Sequence, residues 1–315
     1  VKTDRRVLLV VHTGRPGAVH LAREAAARLG RAGVGVCVLD PDFADLAIDG
    51  AGAVAATESA ANKCEIVMVL GGDGTILRGA EMARGSDVPL LGVNLGHVGF
   101  LAESERDDLD VTIDHVVHHK YTVEERMTID VTVTLDGSVV SRQWALNEAS
   151  VEKSARERML EVVVEIDGRP LSSWGGDGIV AATPTGSTAY AFSAGGPIVW
   201  PSVEALLVVP LSAHALFARP LVVAPSSVIA VELQHRNPGP GVLWCDGRRT
   251  EDLAPGARIE VRRGAKPVRL ARLHLGPFTD RLVAKFDLPV EGWRGRRNVS
   301  EAVGRAAANQ RVSGS

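Results

Sequence analysis

Glu65-Ile66-Val67-Met68-Val69-Leu70, followed by Gly71-Gly72-Asp73-Gly74-Thr75 and then by Ile76-Leu77-Arg78-Gly79-Ala80-Glu81-Met82-Ala83, is the stretch on which the fold turns. A short, unbroken apolar run rich in β-branched residues is what a parallel strand buried on both faces requires. The segment beyond the glycines reads as a helix, with Thr75 expected to cap its start. Gly71, Gly72 and Gly74 carry no Cβ, so their backbone N–H groups can approach a pyrophosphate closely. The helix start adds partial positive charge. Asp73 is then a carboxylate among donors suited to phosphate. It would repel phosphate, so it needs another task, and accepting the proton of an attacking hydroxyl is such a task.

Outward from this point, the first third alternates strand and helix signals. Arg6 to Val11 and Gly35 to Leu39 read as strands, Ala18 to Leu29 as a helix, and Pro89 to Val93 as a further strand. Residues 41–62 read as a loop with a short helix. Such alternation implies a parallel sheet covered on both faces, with ligands beyond the carboxyl ends of its strands. Asp73 and Asn94 both stand in that position. After about residue 120 the pattern changes. Thr128 to Leu135 alternates in polarity and runs into Asp136-Gly137, and Leu160 to Ile166 runs into Asp167-Gly168, both as hairpins. Ser226 to Leu233 and Ala257 to Val261 continue a mostly antiparallel β domain. Pro277 to Phe286 reads as a helix, and the tail from Arg294 lacks apolar periodicity and is expected to be disordered.

With 315 residues, one large or two ordinary domains are expected. A formal net charge of −3 argues against broad nucleic-acid binding. Cys37, Cys64 and Cys245 show neither pairing nor metal spacing, which points to reduced thiols and a cytoplasmic setting. The apolar run from Val7 to Val11 is too short for a signal peptide. Ala205 to Pro225 is the longest apolar region, but Pro210, His214, Arg219 and Pro220 interrupt it. It reads as strands joined by a turn, so no membrane partner is expected.

A second constellation is Thr183-Pro184-Thr185-Gly186-Ser187-Thr188-Ala189-Tyr190, with Ser193-Ala194-Gly195-Gly196-Pro197 directly after it. The run is too dense in hydroxyls, Pro and Gly for a strand. Together with Gly71 to Thr75, Asn94 to Leu101, Ala145-Leu146-Asn147-Glu148, Gly176-Asp177-Gly178 and Asp246-Gly247, in this order, it resembles the NAD kinases of bacterial type. These enzymes transfer a phosphoryl group to the 2′-hydroxyl of the adenosine ribose of NAD. The resemblance runs from about residue 66 to 292. The Gly-Gly-Asp-Gly-Thr element alone is shared with lipid kinases and phosphofructokinases, whereas Thr183 to Pro197 joined to Asn147-Glu148 is highly specific.

The resemblance implies an α/β domain with a parallel sheet over residues 1–120, an all-β sandwich over 121–275, and a segment, 276–292, returning to the first domain. It makes Asp73 the general base, Gly71, Gly72 and Thr75 the phosphate loop, and Asp73 and Gly74 contacts to NAD. It places Asn147 and Glu148 on the dinucleotide, Asp177 on the nicotinamide carboxamide, and Thr188, Ala189, Tyr190 and Ser193 around the adenosine. Asn has the donor and acceptor that a base edge needs, and Glu148 can accept from ribose hydroxyls. Arg78 and Arg158 are candidates for forked contacts to phosphate. No residues have metal-ligand spacing, so Mg²⁺ or another divalent cation is expected to enter with ATP. Inorganic polyphosphate is an alternative donor in some bacterial members. The resemblance, with the apolar Ala205 to Pro225 segment, also implies a homo-oligomer, a dimer or tetramer.

Two other readings share part of this pattern. A lipid kinase would use the same Gly71 to Thr75 element, but would leave Thr183 to Pro197 and Asn147-Glu148 unexplained. A non-catalytic NAD(P) sensor would gain nothing from Asp73 among phosphates.

Overall fold

The computed structural model describes residues 5–95, 99–102, 104–105, 108–154, 159–215, 218–237, 239–273 and 276–290. The expected disordered tail, 294–315, and His97 and Arg158 lie outside these residues. The chain forms one unit through Leu275 and a second from Gly276 onward.

In chain order the first region contains β1 (Arg6–Val11), α1 (Pro16–Arg31), β2 (Gly35–Leu39), α2 (Asp40–Leu46), β3 (Gly52–Val54), β4 (Ile66–Leu70), α3 (Asp73–Ala83), β5 (Leu90–Asn94), β6 (Ser104–Glu105), α4 (Leu109–Val117) and β7 (Thr122–Arg126). The short helix expected within 41–62 is α2, and β3 is a strand that the Ala- and Gly-rich composition there concealed. Every residue of β4 is buried, because helices cover both faces. Val67 and Val69 pack with Ile76 and Ala80 of α3, while Met68 and Leu70 pack with Ala22 and Leu29 of α1. Thr75 does not cap α3. The cap position is Gly72, no side chain bonds there, and Thr75 lies inside the first turn with its N–H on the Gly72 carbonyl at 2.9 Å.

The second region contains β8 (Ile129–Leu135), β9 (Ser138–Ala145), β10 (Glu148–Lys153), β11 (Leu160–Ile166), β12 (Arg169–Gly176), β13 (Gly178–Ala182), the one-turn α5 (Tyr190–Ser193), β14 (Leu206–Leu211), β15 (Leu221–Val223), β16 (Ile229–Leu233), β17 (Gly241–Cys245), β18 (Arg249–Leu253), β19 (Arg258–Arg263) and β20 (Val268–Arg272). Helix α6 (Phe278–Phe286) belongs to the second unit.

The first sheet has the order β3-β2-β1-β4-β5-β20-β7, with β6 beside β5. All its pairings are parallel except that of β20 with β7. The two last strands come from beyond residue 120, so the chain leaves this sheet through β7 and re-enters it through β20. The other two sheets are antiparallel: β15-β14-β13-β10-β17-β18 and β12-β11-β16-β19-β8-β9. Their facing sides share one core, in which Ile129, Val131 and Val133 of β8 and Val162 and Val164 of β11 meet Val151 of β10 and Ile179 of β13. This is a β-sandwich, built from the period-2 alternation of each strand. The residues of β13 that face away from it, Val180 and Ala182, pack with Ala191, Val199, Leu207 and Val209 in a separate cluster. The hydroxyl-rich run from Thr183 is therefore anchored over the outer face of this sheet.

Candidate active site

In the first sheet β1 leads to β2 on one side and has β4 on the other, so the strand order switches direction between β1 and β4. Ligands of open α/β sheets bind at such a point. The carboxyl ends of both strands open into a cavity of about 610 Å³ lined by Val11 to Arg15, Gly72 to Thr75, Arg78 and Arg248. The two loops are tied together by the His12 N–H, which donates to the Leu70 carbonyl at 3.1 Å. Among the described residues Asp73 is the one carboxylate in the lining; Arg15, Arg78 and Arg248 bring positive charge, and the start of α3 adds its own. Asp73 Oδ1 accepts the Leu101 N–H at 3.4 Å. Arg78 is oriented by an ion pair with the buried Asp42 at 2.9 Å.

A second cavity, of about 530 Å³, brings together Asp177, Tyr190 and Ser193 with Glu152, Lys153 and Ser212. Lys153 Nζ lies 2.6 Å from Asp177 Oδ1. This contact, then a hydrogen bond from Ser212, holds the Asp177 carboxyl below the usual carboxylate range. Burial raises the Tyr190 phenol, with the negative charge of Glu152 adding to the effect.

Asn147 and Glu148 are buried where β10 begins. Asp246, at the β17–β18 turn, accepts the Asn147 N–H at 2.7 Å and the Leu146 N–H at 3.0 Å, and Arg249 donates to it at 2.9 Å. Arg248 and Arg249 also pair with Glu81 of α3 at 3.2 and 3.3 Å. The guanidinium groups of Arg84 and Arg249 stack on the Trp144 ring, 4.5 and 4.6 Å from its centre. The helix that starts at Asp73 is thus joined, through Glu81, Arg249 and Asp246, to the strand that carries Glu148. Burial first, and the Asp246 charge second, push the Glu148 carboxyl up to about 8; the Tyr190 N–H opposes them. Glu148 Oε2 is buried without a hydrogen-bond partner among the described residues.

The hydroxyls of the Thr183 run mostly hold the run itself. Thr183 Oγ1 donates to the Leu146 carbonyl at 2.6 Å and accepts the Gly186 N–H at 3.1 Å. Ser187 Oγ donates to the Pro184 carbonyl at 2.7 Å and accepts the Val199 N–H at 2.9 Å. Thr188 Oγ1 donates to the Thr185 carbonyl at 3.3 Å. A side chain at Gly186 would collide with the Asn147 carbonyl, so this loop lies directly against the Asn147-Glu148 pair. Of the residues named from sequence, Gly72, Asp73, Gly74, Thr75 and Arg78 share the first cavity, and Asp177, Tyr190 and Ser193 share the second. Thr188 and Ala189 line neither. His12, Arg15 and Arg248 were not among the sequence candidates.

A glycine-rich turn with one carboxylate at the switch point of a parallel sheet, joined to a β-sandwich with a polar, buried Asn-Glu pair, defines a nucleotide-binding phosphotransferase architecture. The family description "ATP-NAD kinase N-terminal domain" matches residues 7–121, and "ATP-NAD kinase C-terminal domain" matches residues 146–273. NAD kinase 2 of Streptomyces coelicolor is 64% identical over 293 residues, 92% of this chain and 97% of that protein. The NAD kinase of Thermobifida fusca is 62% identical, covering 93% of each. The crystal structure of yeast NADH kinase complexed with NADH superposes with a TM-score of 0.83 at 22% identity, over 93% of this chain and 90% of that one. An NAD kinase from Archaeoglobus fulgidus in complex with ATP gives 0.68 at 24% identity, over 90% and 98%. This chain belongs to the NAD kinase family, whose reaction is the phosphorylation of NAD to NADP.

Proposed function

We propose that this protein transfers the γ-phosphoryl group of ATP to the 2′-hydroxyl of the adenosine ribose of NAD, with Asp73 as the general base. The observation that carries this reading is the first cavity. Among the described residues its only lining carboxylate sits among arginines, glycine amides and a helix N-terminus, so an anion and a hydroxyl acceptor have distinct partners there. Phosphoryl transfer passes through a loose transition state, so Asp73 orients the hydroxyl and takes its proton late. Gly72 and Gly74 would offer backbone donors to phosphate, with Arg78 held ready by Asp42.

Among the described residues no three His, Cys, Asp or Glu side chains converge on a metal site, and the donor set of the cavity fits a divalent cation carried by phosphate oxygens. Mg²⁺ entering with ATP would neutralise charge on the β- and γ-phosphates. Asn147 and Glu148 would hold the adenosine ribose and base, Asp177 the carboxamide, and Tyr190 and Ser193 the neighbouring part of the dinucleotide. Support comes from the burial of Asn147 and Glu148 and from the cavity that Asp177, Tyr190 and Ser193 line together.

A homo-oligomer assembled through the sandwich is part of this proposal. Trp200, Val203, Val222 and Trp244 expose 44, 51, 55 and 37% of their surface, which is apolar area suited to a subunit contact. The three free thiols support a reducing, cytoplasmic setting. Profiling of the purified protein with Mg²⁺, ATP or polyphosphate, and NAD, NADH or diacylglycerol tests the reaction. NADP formation from ATP and NAD is expected. Phosphorylation of diacylglycerol without NADP formation would replace this reading by the lipid-kinase one, and light scattering that shows a fully active monomer would remove the oligomer.

A further inference from the structure

Phosphoryl transfer leaves unused two cysteines that the fold brings together. Cys37 lies on β2, paired through the backbone with Leu8 of β1, and its side chain is 6% exposed. Cys64 closes the loop before β4, its N–H on the Ala61 carbonyl at 2.8 Å. Both side chains pack in one cluster with Leu8 and Val67, and each thiol is the strongest influence on the other. Both line a cavity of about 320 Å³ whose other residues include Arg6, Thr57, Asn62 and Lys63. The cavity mixes apolar residues, Val54, Ala55 and Ala60, with two cations, Arg6 and Lys63, and has room for a small neutral oxidant. The neighbouring Cys64 thiol, and then the charge of Arg6 against the opposing burial, lower the Cys37 thiol from its ordinary range; the same proximity raises Cys64 and keeps its proton in place. Cys245 supplies the contrast: it is buried in the sandwich core and burial pushes its thiol up to about 12.

We propose that Cys37 and Cys64 form a peroxide-sensitive dithiol, with Cys37 as the attacking thiolate and Cys64 as the resolving thiol. The Cys37 sulfur attacks one oxygen of hydrogen peroxide. The O–O bond breaks, hydroxide leaves and is protonated to water, and Cys37 becomes a sulfenic acid. Cys64 then loses its proton and attacks that sulfur. The S–O bond breaks, the departing hydroxide takes the proton, and an S–S bond remains. Two thiols lose two electrons and one peroxide becomes two waters. Closure ties the loop before β4 to β2. That loop also supports the end of α3, since Ser86 Oγ donates to Asn62 Oδ1 at 2.6 Å.

The test treats the reduced full-length protein with hydrogen peroxide, blocks remaining thiols with iodoacetamide, and maps peptides without reduction. A peptide pair linked through Cys37 and Cys64 is expected, with the thiol count in denaturant falling from three to one and dithiothreitol restoring it. In Cys64→Ser, dimedone should label Cys37 and no linked peptide should form. Cys64 is only part-buried, so this variant should fold. Peroxide treatment that leaves Cys37 and Cys64 unlinked, or that oxidises Cys245 first, would overturn the proposal, as would a Cys64→Ser protein whose Cys37 takes no dimedone.

Discussion

Asp246 Oδ1 accepts the backbone N–H of Asn147 at 2.7 Å, across 99 residues of sequence. The same carboxylate holds the Leu146 N–H and Arg249. One buried side chain therefore fixes the start of β10, and through Arg249 and Glu81 connects it to α3. Asp246→Ala would leave two buried amides and a guanidinium without their acceptor. The expected loss is about 3 kcal/mol, as for a broken buried pair, accompanied by a raised KM for NAD because Asn147 and Glu148 lose their frame. Urea unfolding and steady-state kinetics check both. A change below about 1 kcal/mol, within the range of an ordinary surface substitution, would show that the amides find other partners.

Glu148 gives a pH signature. Its carboxyl is pushed up from the ordinary value of 4.5 to about 8, chiefly by burial. Between these values the folded chain keeps a proton that the unfolded chain releases, so the folded state binds more protons and stability falls as pH rises. The contribution is fully present below about pH 4.5 and is lost as pH climbs through about 8. Glu148→Gln cannot ionise. The stability of the parent relative to this variant should therefore fall steadily from pH 5 to pH 8 in urea titrations. A difference that is flat across that window would mean that Glu148 ionises normally in the folded protein.

Some of this architecture was legible in the sequence and some was not, for physical reasons. Strand β4 and its turn stood out because a strand buried on both faces must be apolar at every position. Strand β8 stood out because one face is buried, and the hairpins because Asp136-Gly137 and Asp167-Gly168 adopt the positive φ angles their turns need. By contrast β7, Thr-Val-Glu-Glu-Arg, is polar and mostly open, and among the described residues pairs only with the distant β20. Its place in the first sheet depends on long-range pairing that no local pattern records. His12 and Arg15 reach the site because β1 neighbours β4. Their signal was the end of strand β1, but only the sheet order makes that end part of the switch point. Arg248 follows the Asp246-Gly247 turn, where a turn alone accounts for the residues. The Thr188 hydroxyl bonds to the loop carbonyl of Thr185, a local use that a hydroxyl-rich loop offers beside any ligand contact.

Asp177 carries a split prediction. It lies in the second cavity, in an ion pair with Lys153, and away from the residues lining the first. A substrate contact there would bind the substrate and the transition state alike, so its loss should raise KM with little change in kcat. A charge-assisted hydrogen bond suggests a penalty of roughly 1.5–3 kcal/mol for Asp177→Ala, a rise in KM of tenfold or more. An unchanged KM with a collapsed kcat would contradict the assigned role.

Gly99 limits where the Asp73 carboxylate can sit. A Cβ at this position would stand 2.5 Å from Asp73 Oδ1, too close for unmoved atoms. Gly99→Ala should turn the carboxylate away from the acceptor hydroxyl while leaving the core untouched. A displacement of this size at a catalytic group is expected to cost on the order of 10²-fold in kcat, with an unfolding free energy within about 1 kcal/mol of the parent. Normal kcat would mean that Asp73 has slack in its position that the mechanism does not need removed.

Asp73→Asn separates chemistry from binding. Asn is nearly isosteric and suits the same glycine-rich turn, so the backbone has no reason to move. It cannot take the proton of the 2′-hydroxyl, and it can present an N–H where an acceptor is required. Loss of a general base typically costs about 10²–10⁴ in rate. NAD affinity should stay near that of the parent or rise slightly, because a negative charge beside the phosphate-binding turn has gone and the arginines of the cavity remain. Calorimetric NAD binding and NADP formation on one preparation give both readouts. A variant that binds NAD normally and still makes NADP at nearly the parental rate would remove Asp73 as the base, and the division of the cavity into anion donors and a single proton acceptor would have to be abandoned.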